Sequence, residues 1–225
     1  MQKLQQYVLA SAGFLSVFQT AIAANLVVNG SFESYSGAFG TDNAAILFPG
    51  ATMLTSWVVF GGDVDVIRVP NPYSLTPSDG TNFVDLTGSS DAGGAKGLSQ
   101  IVSGFAVGSV YTLSFDLGIR NGFCSLGNDC VGPIQASASI AGVSQSFTYN
   151  SATPGNNWGT FGFTFVATNG SLPLTLTGLS GFRYIGLDNI SVSVVPEPAV
   201  LIYLLAGLPL LACAARRGRQ PTKRQ

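Results

Sequence analysis

The chain has 225 residues, of which only 9% are charged; it carries 10 basic and 11 acidic side chains, 28 glycines and no histidine. Ordinary soluble domains carry roughly 25% charge, and disordered chains are poor in aromatics, which the 15 Phe exclude here. Without histidine, Ser-His-Asp and Cys-His catalysis and the commonest zinc ligand are absent. A net charge of −1 with no basic stripe before the C-terminus argues against nucleic acid as a partner.

Residues 1–23 place one cation, Lys3, before an apolar run from Tyr7 to Phe18 and end on Ala21-Ile22-Ala23. That is the layout of a secretory signal peptide, so the mature chain is expected to start at Ala24. A membrane anchor is the alternative, for which the apolar run is short. The body, residues 24–194, holds four cations against ten acids, a net −6 hidden behind the near-neutral total. Cations, neutral glycans and protein surfaces suit such a domain better than anionic partners.

Along the body the apolar pattern has period two. Tyr111, Leu113, Phe115 and Leu117 alternate with small or polar residues, as do Phe161, Phe163 and Phe165, then Leu172, Leu174 and Leu176, then Ile190, Val192 and Val194. Asn121-Gly122, Pro154-Gly155-Asn156 and Asn169-Gly170 read as turns between them. The pattern predicts an all-β antiparallel sandwich of eight to ten strands, without sustained helical periodicity.

Four side chains stand out within it. Trp57, in Ser-Trp-Val-Val, reads as a core residue. Trp158, after Pro154-Gly155-Asn156-Asn157, reads as a rim residue whose indole could form a stacking platform for a sugar ring. Cys124 and Cys130 flank a five-residue loop, and in an exported protein they predict a disulfide worth roughly 2–3 kcal/mol. Free thiols or a metal pair lacking histidine are the alternatives.

After the body, Ala199 to Ala215 is free of charge and is followed by Arg216, Arg217, Arg219, Lys223 and Arg224. At 1.5 Å per residue a helix here would reach about 25 Å, enough for a short transmembrane span (199–215) with its basic end, including the tail 220–225, in the cytoplasm. Pro196-Glu197-Pro198, then this apolar stretch, then the arginines resemble, over 195–219, the PEP-CTERM sorting signal of Gram-negative bacteria. The resemblance implies an inner-membrane intermediate processed by an exosortase and delivered to the cell surface or extracellular matrix. Gln220 to Gln225 extend beyond the usual arginine end.

The body has its own resemblance. Asn29-Gly30-Ser31-Phe32-Glu33, Ser56-Trp57 at the start of a short strand, Gly80 to Leu86 and Gly186-Leu187-Asp188-Asn189-Ile190 follow the order of motifs in the DUF642 and choice-of-anchor families. This implies a jelly roll similar to galactose-binding domains, opening on an Asn-Gly-x-Phe-Glu strand, without enzymatic activity and associated with extracellular polysaccharide. It also implies that Glu33 and Asp188, near the first and last strands, share a structural calcium ion, which needs about six to eight hard oxygens; two solvated strand-end acids are the alternative. The expected function is thus that of an exported, non-catalytic surface or matrix protein binding exopolysaccharide. A carboxylate-only glycoside hydrolase is the second reading, with Asp63 and Asp65 the acids closest in sequence. An ice-binding or adhesion protein is the third, although no repeated Thr array is visible.

Overall fold

In a computed structural model of the chain, residues 24–73, 75–89, 95–121, 133–150, 155–179 and 184–196 are described. They form eleven strands and, among them, no helix. The strands are β1 (Ala44–Leu47), β2 (Val58–Phe60), β3 (Val64–Arg68), β4 (Asn82–Asp85), β5 (Lys96–Ser103) and β6 (Val110–Asn121). Then follow β7 (Ile134–Ile140), β8 (Val143–Tyr149), β9 (Gly155–Val166), β10 (Ser171–Gly178) and β11 (Gly186–Val194). One sheet has the order β1-β3-β4-β11-β6-β9 and the other β2-β5-β10-β7-β8. Every pairing between strands is antiparallel.

The period-two pattern builds the core as expected. Tyr111, Leu113, Phe115 and Leu117 of β6 are buried, as are Leu172, Leu174 and Leu176 of β10. Ala136 and Ala138 of β7 join the same cluster. Each fully buried Leu or Phe contributes roughly 1.5–3 kcal/mol. Trp57 lies at the core, 1% exposed, and donates its indole N–H to the Asn29 carbonyl at 2.9 Å.

Three expectations change. Pro154-Gly155-Asn156 was expected to turn, but Gly155 and Asn156 open β9, because the ladder with β6 runs on to the pair Asn121–Gly155. Ser56 and Trp57 precede β2 in a turn. The Asn-Gly-Ser-Phe-Glu motif is a turn rather than a strand, with Asn29 at φ 56° and Phe32 at φ 59°. Its backbone is tied to β11 instead: Ile190 N–H donates to the Gly30 carbonyl, and Leu26 N–H to the Val192 carbonyl. A Cβ on residue 30 would stand 2.0 Å from the Ile190 oxygen, so only glycine permits this approach.

The two sheets differ on their outer sides. The segment between β3 and β4 lies across the six-stranded sheet, where Leu75 packs on Ile67 and Phe83, with Tyr73 and Trp158 alongside. Gly118 and Gly186, neighbours in the β6–β11 ladder, make room for this roof. A Cβ on Gly118 would meet the Trp158 ring at 2.7 Å, and one on Gly186 would meet Leu75 at 2.8 Å. Among the described residues the five-stranded sheet carries no such cover. Its outward rows are uncharged and largely hydroxylated, such as Ser99–Thr175–Ser139–Ser144 and Thr177–Ser137–Ser146, with the exposed Val58 beside Ser99 and Ile101 opposite Pro173. No described helix is long and apolar enough to cross a membrane. The expected signal peptide and transmembrane helix lie outside the described residues.

Candidate binding site

Glu33 and Asp188 meet the same turn from two sides. Glu33 accepts hydrogen bonds from the Thr81 amide at 2.7 Å, the Asn82 amide at 2.8 Å and the Thr81 hydroxyl at 2.6 Å. Asp188 accepts from the amides of Ser78 and Asp79, both at 2.9 Å, from the Ser78 hydroxyl, and from the Asn189 amide at 2.7 Å. Between them Gly80 sits at φ +66°, and a Cβ there would lie 2.4 Å from the Glu33 carboxylate. All four carboxylate oxygens are thus engaged by separate donors, and no group of three or more acids converges among the described residues. As placed, the two carboxylates anchor the 78–82 turn from either side. Burial pushes Asp188 up to about 7, against the hydrogen bonds that pull it down.

Beside the roof, a cavity of about 600 Å³ opens at the β1–β3 edge of the six-stranded sheet. Ala44, Ile46, Asp65 and Ile67 form its floor, while Tyr35, Asp42, Tyr73 and Tyr184 line its sides. The Tyr73 and Tyr184 rings stand 5.8 Å apart at 49°. Tyr73 is held in place at both ends: its amide donates to the Asn71 side chain at 3.0 Å, and its hydroxyl donates to Asp42. That hydroxyl, with the Ala44 amide, keeps the Asp42 carboxyl below the usual range, while burial and Asp42 together push the Tyr73 phenol upward. Both therefore keep their ordinary neutral-pH charge. Half-exposed aromatic faces beside hydrogen-bonding groups are the components of a small-ligand site.

Further acids stand in and beside this floor. Asp65 and Asp85 are direct cross-strand partners in the β3–β4 ladder. Asp85 is fully buried; its Oδ1 accepts from the Thr87 amide and hydroxyl and from the Ile185 amide, whereas its Oδ2 has no hydrogen-bond partner. Burial, offset in part by Thr87 and reinforced by the Asp65 charge, pushes Asp85 up to about 7. Asp63 behaves in the opposite way. Burial raises it, but Lys96 at 2.8 Å and Ser89 overcome that and bring it down to about 2. The two acids nearest in sequence thus have different duties: Asp63 ties Lys96 and Asp65 faces the cavity.

Trp158 is half-buried in the roof. Its indole N–H donates to the Thr76 carbonyl at 2.8 Å, and its ring stands edge-on to Phe83 at 6.0 Å. Cys124, Cys130, Glu197, Pro198, Arg216 and Arg217 lie outside the described residues; Pro196 is described and exposed. Tyr35, Tyr73, Tyr184 and Asp42 were not singled out by sequence reasoning. The available signal was an aromatic within a Pro/Asn-rich connection, Pro70-Asn71-Pro72-Tyr73.

Residues 25–180 match the model of a family described as "Protein of unknown function (DUF642)". Halomucin of Haloquadratum walsbyi is 32% identical over 178 residues, which is 77% of this chain and 2% of that relative, so the chain spans only a small fraction of its length. The structure of TmCBM61 in complex with beta-1,4-galactotriose is similar at TM-score 0.50 and 17% identity, covering 77% of this chain and 100% of the other. The CBM22-1 xylan-binding domain of Paenibacillus barcinonensis Xyn10C matches at TM-score 0.40 and 16% identity, over 69% of this chain and 94% of the other. Arabinose-bound MgGH51 α-L-arabinofuranosidase matches at TM-score 0.44 and 17% identity, over 76% of this chain and 26% of the other. The likeness to TmCBM61 shows the fold, an antiparallel jelly-roll sandwich of the carbohydrate-binding-module type.

Proposed function

Because the chain belongs to the DUF642 family, we propose that it is an exported, non-catalytic protein whose jelly-roll body binds extracellular polysaccharide in the cavity between Tyr73, Tyr184, Asp42 and Asp65. The observation that carries this reading is the cavity itself. It offers tyrosine ring faces for the apolar side of a sugar, and hydroxyl and carboxylate oxygens for its hydroxyl groups, on a rigid sheet floor. A carboxylate-pair hydrolase finds less support. Asp85, the acid facing Asp65, is fully buried and cannot reach a substrate.

Affinity electrophoresis of the exported chain through gels containing soluble polysaccharides tests the reading. Retardation in at least one polymer is expected, and Tyr73→Ala and Tyr184→Ala should each abolish it. Substituting Thr175 with Lys, on the opposite sheet, should leave it unchanged. Absence of retardation across a broad panel sinks the proposal.

The proposal includes export and sorting, supported by Ala21-Ile22-Ala23 and by Pro196-Glu197-Pro198 with its arginine end. Mass spectrometry of the native surface fraction should find chains starting near Ala24 and lacking the apolar tail. Intact chains carrying both Met1 and Gln225 would contradict it.

A further inference from the structure

Resting on the export and tail part of that reading, we propose that one end of the sandwich is a lipid-facing base. Its exposed valines rest on the bilayer while the apolar tail is attached, and the cavity is held away from the membrane. Val195 donates its amide to the Val110 carbonyl at 2.9 Å, and Val166 is the ladder partner of Val110, so the three stand side by side across β11, β6 and β9. Val194, opposite Tyr111, and Val107, in the turn before β6, adjoin them. Their exposures run from 37% at Val195 to 67% at Val107.

Among the described residues, charge is missing from the same end. The segments that meet there are 24–28, 104–112, 140–144, 164–173 and 190–196, and none contains Asp, Glu, Lys or Arg. They are joined by backbone bonds such as Gly108 N–H to the Ala167 carbonyl and Gly104 N–H to the Gly170 carbonyl. The β6–β11 ladder runs from Gly118–Gly186 to Tyr111–Val194, and Asp65 and Asp85 stand level with its Gly186 end. The cavity, floored by Asp65, therefore lies toward the end opposite the valines. The chain leaves the sandwich beside them. After Val195 only Pro196, Glu197 and Pro198 precede the uncharged run 199–215, and three residues reach at most about 11 Å. With that run in a bilayer, the base stands at the membrane surface. Contact there removes apolar side chains from water and dehydrates no charge of the base, and exposed apolar patches mark contacts of this kind. The net −6 of the body sits away from the valines, and the base offers anionic headgroups no cation, so zwitterionic lipid suits it.

The full chain, tail included, is reconstituted into phosphatidylcholine vesicles, and tryptophan emission is compared between ordinary lipid and lipid brominated in its upper acyl chains, which quenches indoles that touch it. Trp57 in the core and Trp158 in the roof give the parent background. Val107→Trp should add emission that brominated lipid quenches. Phe48→Trp, at a position 65% exposed beyond the Leu47–Val64 pair at the cavity end, should add emission that it leaves alone. Adding Val166→Asp to Val107→Trp should restore the lost emission, since a carboxylate then stands at the contact. High salt should leave the quenching in place; its loss would show an ionic contact and overturn the apolar one. Near-UV circular dichroism confirms that each variant is folded. If the chain floats with the vesicles and Val107→Trp is quenched no more than Phe48→Trp, the base does not touch lipid, and this inference falls while the tail reading stands. If the chain does not float, the tail reading falls and this one with it; the glycan reading, tested by retardation, is unaffected. Emission from Val107→Trp that is blue-shifted yet unquenched would show the tail or a second copy covering the valines, and that also overturns the bilayer assignment.

Discussion

The two outer faces of this sandwich start from the same kind of sequence and end in different states. On both, the outward strand positions are mostly small or polar, broken by a few apolar residues: Ile67 and Phe83 on one, Val58 and Ile101 on the other. On the five-stranded sheet these residues stay in contact with solvent, as Ser139 and Thr175 do. On the six-stranded sheet the matching positions hold Asp85, Asp116 and Asp188, all nearly or fully buried. The difference comes from where the connections land. The stretch between β3 and β4 crosses the six-stranded sheet and brings Leu75, Tyr73 and backbone amides over it. A polar strand face therefore becomes a second interior only when a loop with its own apolar anchor and spare donors covers it.

The comparison breaks most severely at Asp188. Replacing it with Ala removes the acceptor of the Ser78, Asp79 and Asn189 amides, and buried donors left unpaired cost roughly 1–3 kcal/mol each. A loss of about 3–5 kcal/mol is expected in chemical denaturation, within the range of severe single substitutions. A change below about 1 kcal/mol would mean that water replaces the carboxylate and that the turn is not anchored by it.

Next in size is a pH effect confined to the roofed face. Asp85 holds its proton up to about pH 7 in the folded chain but only to about 3.9 when unfolded. The folded state binds the extra proton between those values, so the contribution is complete below pH 4 and drains away as pH rises through 7. It amounts to on the order of 4 kcal/mol for this fully buried group. The melting temperature should accordingly fall between pH 5 and pH 8. Asp85→Asn, which mimics the protonated acid, should lessen that fall, the remainder coming from Asp188, which burial also raises to about 7; an unchanged pH profile in the variant would refute the assignment. Asp63 has the opposite sign: its folded value of about 2 makes its contribution present above pH 4 and lost on acidification below that.

Trp158→Ala should come third, at about 2 kcal/mol for the lost burial against Phe83 and Leu75, whereas Thr175→Lys on the bare face should stay within about 0.5 kcal/mol. Similar costs for the two would erase the distinction between the faces. The smallest effect concerns calcium. With both carboxylates occupied by hydrogen-bond donors, chelator should leave the melting curve in place; a clear shift on adding calcium would show that the 78–82 turn rearranges around a cation.

The sandwich was legible because Tyr111–Leu117 and Leu172–Leu176 face an opposing sheet, and the alternation that packs them depends on nothing distant. The roof was not, because Leu75, Tyr73 and Trp158 find their partners through a connection, where periodicity carries no information. Glu33 and Asp188 both meet the 78–82 turn, because the opening and closing motifs that carry them converge there. What they bind there depends on which amides the turn presents, and that is a matter of backbone conformation at Gly80. The Asn-Gly-Ser-Phe-Glu motif read as a strand for a similar reason: its composition suits one, but left-handed backbone at Asn29 and Phe32 turns it against β11.

The position of β11 has a mechanical consequence. It is the last strand of the body, yet it lies inside the six-stranded sheet between β4 and β6, and Val195 just beyond it still donates to the Val110 carbonyl. Antiparallel ladder bonds run across the strands, so a pull along β11 from its C-terminal end loads them in shear, many at once. An edge hairpin under the same pull would open like a zipper, one bond after another. A chain held by this end can therefore bear tension through its most deeply embedded strand while the cavity, on the far side of β4, stays out of the line of force.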